Sequence, residues 1–376
     1  MSDPPHIAPG AASASGRRPA SPSAEPETGP ALGRDPFAEE PGSEALVSRL
    51  DALERRRPRR RPKPRAPAAD APQPDLPQGR ARGPSHPRTP ALAEVELPEE
   101  SDFWDRLLPE RARRALSATS HLVEGEAATD RFGFSPETAR KALPWFHALY
   151  RGWFRTRSRG HEHLPERGGA VLASNHAGLL PFDAAMTVVD VLMHTDPPRL
   201  ARAVVDRWAG ELPFVNVFYA RVGQVVGTHE NFAELLEDEQ LVLVFPEGAA
   251  GVTKPLRERY RLQDFHVGFV EHALRGRVPI VPMAVVGSDD QAPMLFDLKP
   301  LARALGMPAV PITPTFPWLG PLGLLPLPVR YRIVYGEPLD FHERFGPEGA
   351  EDARLVHYLA AEVRRAVGAL IESERG

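Results

Sequence analysis

AVLASNHAGLLPFDAAM, residues 170–186, joins a short apolar run to a helix-like stretch through a loop that carries one histidine and one aspartate. Ala170–Ser174 is almost continuously apolar, which is typical of a strand in a sheet that is covered on both faces. His176 follows the carboxyl end of that strand, where the loops of open α/β sheets build binding sites. Asp183 precedes a helical pattern at Ala184–His194. It is therefore either a helix cap or the partner of the histidine.

The alternation of strands and helices continues toward the carboxyl terminus. The further predicted strands are Leu200–Val205, Leu241–Phe245, Ile280–Val286 and Tyr331–Tyr335, and the further predicted helices are Asn231–Glu239, His266–Arg275 and Ala350–Glu374. Continuous apolar strands such as LVLVF indicate a sheet between two helical layers. We therefore expect an α/β fold, one domain with a mixed sheet flanked by helices.

Residues 1–100 have a different composition from the rest of the chain. They hold 20 of its 43 prolines and few large apolar residues, which predicts a disordered Pro/Ala/Arg-rich tail with at most a short helix at Glu44–Arg56. Glu54–Arg65 carries eight lysines or arginines, as in a solvated linker or a tether to anionic lipid headgroups. This basic tract lacks interleaved aromatics, so we predict no nucleic-acid partner. The chain has no cysteine, which excludes disulfides and a thiol nucleophile.

Residues 101–160 are predicted to form amphipathic, membrane-proximal helices ahead of a folded domain at 161–376. Pro109 should interrupt the first helix, Ser135 should cap the second, and Pro144 should kink it. That second helix carries Trp145 and Trp153 and ends in several arginines. Such a pattern is equally typical of a core-packed helix and of one lying at a membrane interface. No run of about 20 apolar residues indicates a spanning helix.

The segment from Ala304 to Val329 carries no charge and seven prolines. The first four prolines recur at every third residue, which favours an extended, polyproline-like path and opposes a helix. Exposure of so apolar a segment to water would be unfavourable. We predict that it packs on its own domain, walls an acyl-chain groove or contacts a membrane.

Three further patterns bear on chemistry. Phe245-Pro246-Glu247-Gly248 ends the strand LVLV, so Glu247 either holds a substrate hydroxyl or orders the loop. Pro279 and Pro282 lie in a strand-like run, contrary to the usual rules for central strands, and such departures are enriched at functional sites. His176, which lies near Asp183 in the sequence, is a candidate general base. His161 and His163 form too weak a pattern for metal, and no metal site is predicted.

Together these blocks resemble the glycerolipid acyltransferase (PlsC-like) family, over about Trp153 to Leu339. The resemblance rests on Asn175-His176 with Asp183, on Gly223, on Phe245–Gly248 and on VPIVP at 278–282. The sequences of NHAGLLPFD and of the Pro-rich segment are most similar to those of the monoacylglycerol/diacylglycerol acyltransferase-like branch. The family implies acyl transfer from acyl-CoA or acyl carrier protein to a glycerolipid hydroxyl, with no bound cofactor and no enzyme nucleophile, at the cytoplasmic face of a membrane with which the protein associates peripherally.

The resemblance also assigns roles to residues. His176 is the expected base and Asp183 its orienting partner. The expected substrate-binding residues are Asn175, Gly178, Gly223, Phe245, Pro246, Glu247, Gly248, Pro279 and Pro282. Two basic residues are added from the sequence itself. Lys254 is a partial substitute for a family arginine, and Arg257 belongs to a basic-aromatic patch that either contacts a headgroup or cofactor phosphate or is a solvated face.

The sequence departs from the family pattern at three places. The histidine and aspartate are separated by six residues where four are usual, so Asp183 must reach back from a longer loop. The block that begins at Gly223 and the block that follows Gly248 both lack the usual arginine, and Lys254 is not a bidentate substitute. A neutral mono- or diacylglycerol acceptor is therefore favoured. Lysophosphatidate as the acceptor and a lipid-binding protein that has lost catalysis are the alternatives.

Overall fold

The computed structural model describes residues 103–123, 128–178, 180–206, 213–305 and 309–375. The predicted tail, its short helix and its basic tract lie outside these ranges. The helices are α1 Phe103–Arg106, α2 Glu110–Ala118, α3 Pro136–Ala148, α4 Phe182–His194, α5 Val215–Arg221, α6 His229–Glu237, α7 Gly248–Val252, α8 Gly268–Arg275, α9 Lys299–Leu305, α10 Phe341–Phe345 and α11 Ala353–Arg375. The strands are β1 Arg157–Arg159, β2 Ala170–Ser174, β3 Ala201–Val205, β4 Val225–Val226, β5 Leu241–Val244, β6 Ile280–Val286, β7 Phe296–Asp297, β8 Pro311–Ile312 and β9 Arg332–Tyr335.

Seven of the described strands form one mixed sheet in the order β1-β9-β6-β2-β5-β3-β4. The strands from β6 to β4 in that order are parallel, whereas β9 pairs antiparallel with β6. In the centre, Val171 of β2 lies opposite Val242 of β5 and Ile280 of β6. The expected α/β fold is confirmed, and the carboxyl ends of β2 and β5 lie side by side at one edge.

Helices cover both faces of the sheet because its central strands are apolar on both sides. On one face, α6, α8 and α11 pack in a cluster that includes Leu235, Val270 and Val363. On the other face, α2, α3 and α4 pack in a second cluster that includes Leu116 and Met186. The sheet therefore holds the loop between β2 and α4 between two rigid layers.

The helices ahead of β1 belong partly to the core. Pro109 does separate α1 from α2, and the hydroxyl of Ser135 accepts the Thr138 N–H, so both predictions are confirmed. The chain stays helical through Pro144 and then forms a π-helical turn at Leu149–Trp153. Tyr150 in that turn is buried. One side of this segment therefore packs on the sheet and the other is open to solvent.

Pro282 is accommodated inside β6 because the antiparallel ladder with β9 spans only Met283–Val286. The Pro282 carbonyl accepts the Gly336 N–H just beyond that ladder. In the Pro-rich segment the extended path is interrupted by β8, which pairs with β7, and by a 3₁₀ turn at Gly320–Leu324. In the described part of the chain, no helix combines the length and apolarity needed to cross a bilayer.

Candidate active site

The loop between β2 and α4 brings His176 and Asp183 into direct contact. His176 Nδ1 donates to Asp183 Oδ2 over 2.7 Å. The Asp183 carboxylate is fully buried and also accepts the backbone N–H groups of Ala177 at 3.0 Å and Ala184 at 2.8 Å. Asp183 thus supports the first turn of α4 and holds the histidine at once. With Nδ1 carrying the proton, a neutral His176 presents the lone pair of Nε2.

The imidazole of His176 is held by an aromatic ring and by a close backbone approach. Phe245 stacks on it with ring centroids 4.2 Å apart. On α7, a Cβ at Gly251 would lie 3.1 Å from both the Cβ and the carbonyl oxygen of His176, and 2.9 Å from Glu247 Cβ. Only a glycine lets α7 pack this tightly against the histidine. The imidazole remains partly accessible, with 16% of its side chain exposed.

Glu247 orders the loop around the histidine. Its Oε1 accepts the His176 N–H at 2.9 Å, and its Oε2 accepts the Gln263 N–H at 2.7 Å. The side chain is fully buried. Of the two roles that the sequence left open, these contacts favour loop ordering over the binding of a substrate hydroxyl.

The rest of the FPEG turn serves its backbone. The Pro246 carbonyl accepts the His266 N–H at 2.9 Å, and Gly248 adopts a positive φ of 54° against the His266 ring.

Lys254 lies between two carboxylates. Its Nζ is 3.3 Å from Glu247 Oε2 and 3.5 Å from Asp289 Oδ1, and the side chain is almost wholly buried. Burial raises the pKa of Asp289, and the Lys254 ammonium opposes that shift. Asp289 Oδ2 has no hydrogen-bond partner among the described residues. The one cation of this group therefore faces two acidic side chains.

Two buried amides fix the loop from the side of β6. Asn175 exchanges two hydrogen bonds with Val285: its Nδ2 donates to the carbonyl at 3.1 Å and its Oδ1 accepts the N–H at 2.8 Å. Gln291 Nε2 donates to the Ala177 carbonyl at 2.9 Å, and the Tyr331 hydroxyl donates to Gln291 Oε1 at 2.6 Å. Both amides are engaged by the protein, so Asn175 fixes the loop to β6, and its expected contact with substrate stays a prediction.

Gly178 has a specific steric role in this loop. It has a φ of 82°, and a Cβ there would approach Gln291 Nε2 to 2.7 Å. The loop can follow its path over Gln291 only with glycine at this position.

Four predicted substrate-binding residues are not brought to this group. Pro279 lies at the amino end of β6, at the opposite edge of the sheet from His176, and Pro282 lies within the β2–β6 ladder. Gly223 precedes the edge strand β4, where its carbonyl accepts Arg202 Nε at 2.8 Å. Arg257 occupies an exposed turn beside Glu258. Pro279 and Gly223 therefore lie away from the histidine, and their expected role in substrate binding stays a prediction.

Two cavities flank the loop that separates His176 from Asp183. The larger is apolar, has a volume of about 260 Å³, and lies between α3, α4 and α5, where Leu143, Phe146, Val188 and Phe218 line it. The smaller, of about 30 Å³, lies between the loop, α7 and the Pro-rich segment. Leu180 and Phe182 line both. The loop therefore forms a partition with an apolar space on each side.

A second histidine–aspartate group lies seven residues farther along α4. Asp190 is fully buried and accepts the hydroxyls of Tyr150, Ser158 and Tyr335 at 2.5, 2.5 and 2.8 Å. The rings of His161 and His194 stack beside it, with their nitrogens 3.1 Å from its two oxygens.

The ligand atoms of His161, Asp190 and His194 lie within 4.8 Å of one another, a spacing that also occurs in metal sites. Burial opposes ionisation of Asp190, but hydrogen bonds from both histidines, Ser158 and Tyr150 hold its pKa well below its usual value. The carboxylate is satisfied by five protein donors, so we interpret this group as a buried strut that joins α4 to β1 and β9.

Sequence reasoning missed two residues of the candidate site. Gly251 had a signal, since the small-residue run GAAG after FPEG is typical of close packing. Gln291 had none, because its partners Ala177 and Tyr331 are 114 and 40 residues away.

Similarity to known proteins identifies the family of this chain. A family model described as acyltransferase matches residues 155–286. An uncharacterized protein of Mycobacterium leprae is 38% identical over 267 residues, which cover 69% of this chain and 72% of that protein. A human protein named DGAT1/2-independent enzyme synthesizing storage lipids is 25% identical over 233 residues, or 59% of this chain and 63% of its own.

Among solved structures, the 1-acyl-sn-glycerophosphate acyltransferase PlsC of Thermotoga maritima aligns with a TM-score of 0.43 and 16% identity. The alignment covers 69% of this chain and 87% of that one.

The chain belongs to the acyltransferase family, as its motifs indicated. It is an enzyme that transfers acyl groups.

Proposed function

We propose that the enzyme transfers a fatty acyl group from a thioester donor, acyl-CoA or acyl carrier protein, to the hydroxyl of a glycerolipid. The observation that carries the proposal is the 2.7 Å contact between His176 Nδ1 and Asp183, with an accessible imidazole at the carboxyl edge of the sheet. An imidazole held in this way is a general base that a buried carboxylate keeps in one tautomer.

The reaction needs no enzyme nucleophile. His176 Nε2 takes the proton of the acceptor hydroxyl as the hydroxyl oxygen attacks the thioester carbon. Collapse of the tetrahedral intermediate breaks the carbon–sulfur bond, and the imidazolium returns its proton to the departing thiolate. Asp183 stays ionised and stabilises the imidazolium between these two steps.

The larger cavity is suited to the acyl chain. Its walls on α3, α4 and α5 are apolar, and it reaches the loop that leads to Asp183. An acyl chain that enters beside Leu180 would bring its thioester toward His176 while the chain remains out of water.

The acceptor is proposed to be a mono- or diacylglycerol. Lys254, which stands closest in sequence to the missing arginines, already faces Glu247 and Asp289. A phosphate monoester entering there would meet two carboxylates for one ammonium, which is unfavourable. The name of the human relative, an enzyme synthesizing storage lipids, supports the same acceptor class. Such substrates reside in membranes, and we expect the enzyme to act at a membrane surface.

Acyl transfer by the purified full chain tests the proposal directly. Labelled acyl-CoA would be supplied with monoacylglycerol, diacylglycerol or lysophosphatidate in mixed micelles. We expect transfer to the neutral acceptors and little to lysophosphatidate. Preferred transfer to lysophosphatidate would establish the alternative acceptor. The assay would be repeated with acyl carrier protein that bears the same acyl chain as the donor. Absence of transfer to every acceptor from both donors would favour a lipid-binding protein that has lost catalysis.

A further inference from the structure

The strongest unexplained surface lies beside the smaller cavity. Eight large apolar side chains between residues 295 and 325 are each more than 40% exposed, and we call this set the apolar face. Its members are Leu295, Phe296, Leu298, Leu301, Trp318, Leu319, Leu322 and Leu325. They make up more than half of the fifteen large apolar side chains that are at least 40% exposed in the described ranges, so the exposure is concentrated in one part of the chain.

The two halves of the apolar face are physically joined. β7 and β8 pair through Phe296 and Ile312, and the N–H groups of Leu295 and Leu298 donate to the carbonyls of Ile312 and Val310 at 2.8 and 3.0 Å. Exposed apolar side chains therefore lie on both flanks of one hydrogen-bonded unit, residues 295–298 with residues 310–312. Large exposed apolar side chains that are concentrated in one part of a chain are typical of an interaction site.

Most backbone N–H groups under this face have an acceptor within the protein. Within residues 313–329, positions 314, 317, 321, 326 and 328 are prolines and have no N–H to satisfy. Among the other positions, the N–H groups of Thr313, Thr315, Phe316, Leu319, Gly320, Leu325, Leu327 and Val329 donate to protein acceptors. An irregular segment in which most N–H groups are absent or engaged is suited to an apolar medium that cannot supply hydrogen bonds.

The charged residues near the apolar face indicate which kind of apolar surface it contacts. Lys299 and Arg303 are exposed on α9 at the border of the face, while Asp297 accepts the Val310 N–H at 3.1 Å. Between residues 291 and 329 these are the charged residues, which gives the stretch a net charge of +1. Tryptophan and leucine bordered by cations match the interface of an anionic bilayer.

The face also lies over the candidate active site. Leu325 is exposed on the face and lines the smaller cavity together with Gly178 and Leu180. Gln291 ties the two regions together, because its carbonyl accepts the Leu327 N–H at 2.7 Å while its side chain holds the Ala177 carbonyl. A lipid that leaves a bilayer beside Leu325 would arrive at the loop of His176.

We propose that residues 295–325 form a docking face that seats the enzyme on an anionic lipid surface. The proposal rests on the proposed function only for the identity of the lipids that the enzyme uses as substrates. The occupant of the face is the lipid surface itself. A second copy of the chain is the competing occupant, and it is tested below.

Co-sedimentation of the full chain with vesicles tests the docking face. The test variant combines Trp318→Glu and Leu322→Glu, and the matched control combines Trp145→Glu and Val217→Glu on the exposed side of α3 and α5. All four side chains are more than half exposed, so these changes spare the core. We expect the test variant to bind phosphatidylcholine/phosphatidylglycerol vesicles at least about tenfold more weakly than the wild type, and the control to bind within about threefold of it. Wild-type binding by the test variant, or an equal loss in both variants, would overturn the proposal.

Two further measurements separate the alternatives. Lys299→Glu with Arg303→Glu should abolish the preference for vesicles that contain phosphatidylglycerol over pure phosphatidylcholine, and an unchanged preference would contradict the assigned lipid charge. Light scattering on the wild type and the test variant checks self-association. A wild-type dimer that Trp318→Glu with Leu322→Glu converts to a monomer would assign the face to a second copy instead.

Acyl transfer in detergent micelles distinguishes this proposal from the catalytic one. The docking variant should retain micellar activity while it loses vesicle binding. Inactivity of the wild type in micelles would leave the vesicle result intact and count only against the proposed function.

Discussion

Asp183→Asn is the change that isolates the orienting role of the carboxylate. The substitution preserves shape but replaces the anion that accepts from His176 Nδ1 at 2.7 Å. A hydrogen bond to a charged group contributes about 1.5–3 kcal/mol, and tenfold in rate corresponds to about 1.4 kcal/mol, so loss of the anion alone predicts a decrease of about 10- to 150-fold. If the amide of the substituted side chain donates to Nδ1, the proton moves to Nε2 and the base is lost. In a Ser-His-Asp triad, replacing the buried aspartate with asparagine lowers kcat by about 10⁴-fold in this way.

We therefore expect kcat for acyl transfer to fall by about 10- to 10⁴-fold with little change in KM, because Asp183 is fully buried behind the imidazole. Steady-state assays with a saturating thioester donor would measure both constants. A kcat within about threefold of wild type, or less than about 0.7 kcal/mol, would refute the orienting role.

Asp190→Asn on the same helix is the matched control. Asp190 is equally buried but accepts from Tyr150, Tyr335 and Ser158 instead of from His176. Its substitution should lower the melting temperature while kcat per folded molecule stays near wild type. A selective loss of kcat in Asp190→Asn would mean that the strut, rather than the His176 contact, governs the reaction.

Three further predictions test the surroundings of the site. Gly251→Ala should reduce kcat because the added Cβ would lie 3.1 Å from His176. Gly268→Ala in α8 is the control: its added Cβ has no neighbour within 4 Å, so kcat should not change. Gln291→Leu should lower the free energy of unfolding by about 1–3 kcal/mol, because it leaves the Tyr331 hydroxyl buried and unpaired. Adding Tyr331→Phe should restore part of that loss in urea titrations, and an additive double variant would contradict the coupling. Burial, with His229 and Arg275 nearby, lowers the pKa of His272 from 6.5 to about 4. Between these pH values His272 is protonated in the unfolded chain but not in the folded one, so the free energy of unfolding should fall as pH falls. Urea unfolding at about pH 7.5 and about pH 5 measures this dependence, and His272→Phe should reduce it.

The sequence predicted the sheet well because its strands are short apolar runs that only a covered sheet can bury. Ala170–Ser174 and Ile280–Val286 have the predicted bounds, and the predicted helix at Ala184 begins two residues earlier, at Phe182. The early start has a local reason, since the Pro181 carbonyl accepts the Ala185 N–H and Asp183 lies within the first turn. The helix continues through Pro144, and a π-helical turn follows at Leu149–Trp153, where no sequence signal points to it.

The candidate site was predicted less completely. The approach of Asp183 to His176 followed from the motif, since the two residues lie in one loop. Glu247 and Asn175 were expected to meet substrate. In the structure Glu247 accepts the His176 N–H and Asn175 pairs with the Val285 backbone of β6, contacts that a sequence pattern does not contain. The position of Gln291 depends on contacts between segments more than 100 residues apart, and local periodicity carries no information about them.

The central claim is that His176 removes the proton of the acceptor hydroxyl. The most direct measurement is acyl transfer from labelled acyl-CoA to monoacylglycerol by wild type and His176→Ala, with the fold of each checked by its melting temperature. General base catalysis contributes about 10²- to 10⁴-fold, so we predict that transfer by His176→Ala falls by at least about 10²-fold while the melting temperature changes little. Equal transfer by a folded His176→Ala would contradict the mechanism and leave the histidine–aspartate contact with a structural role only.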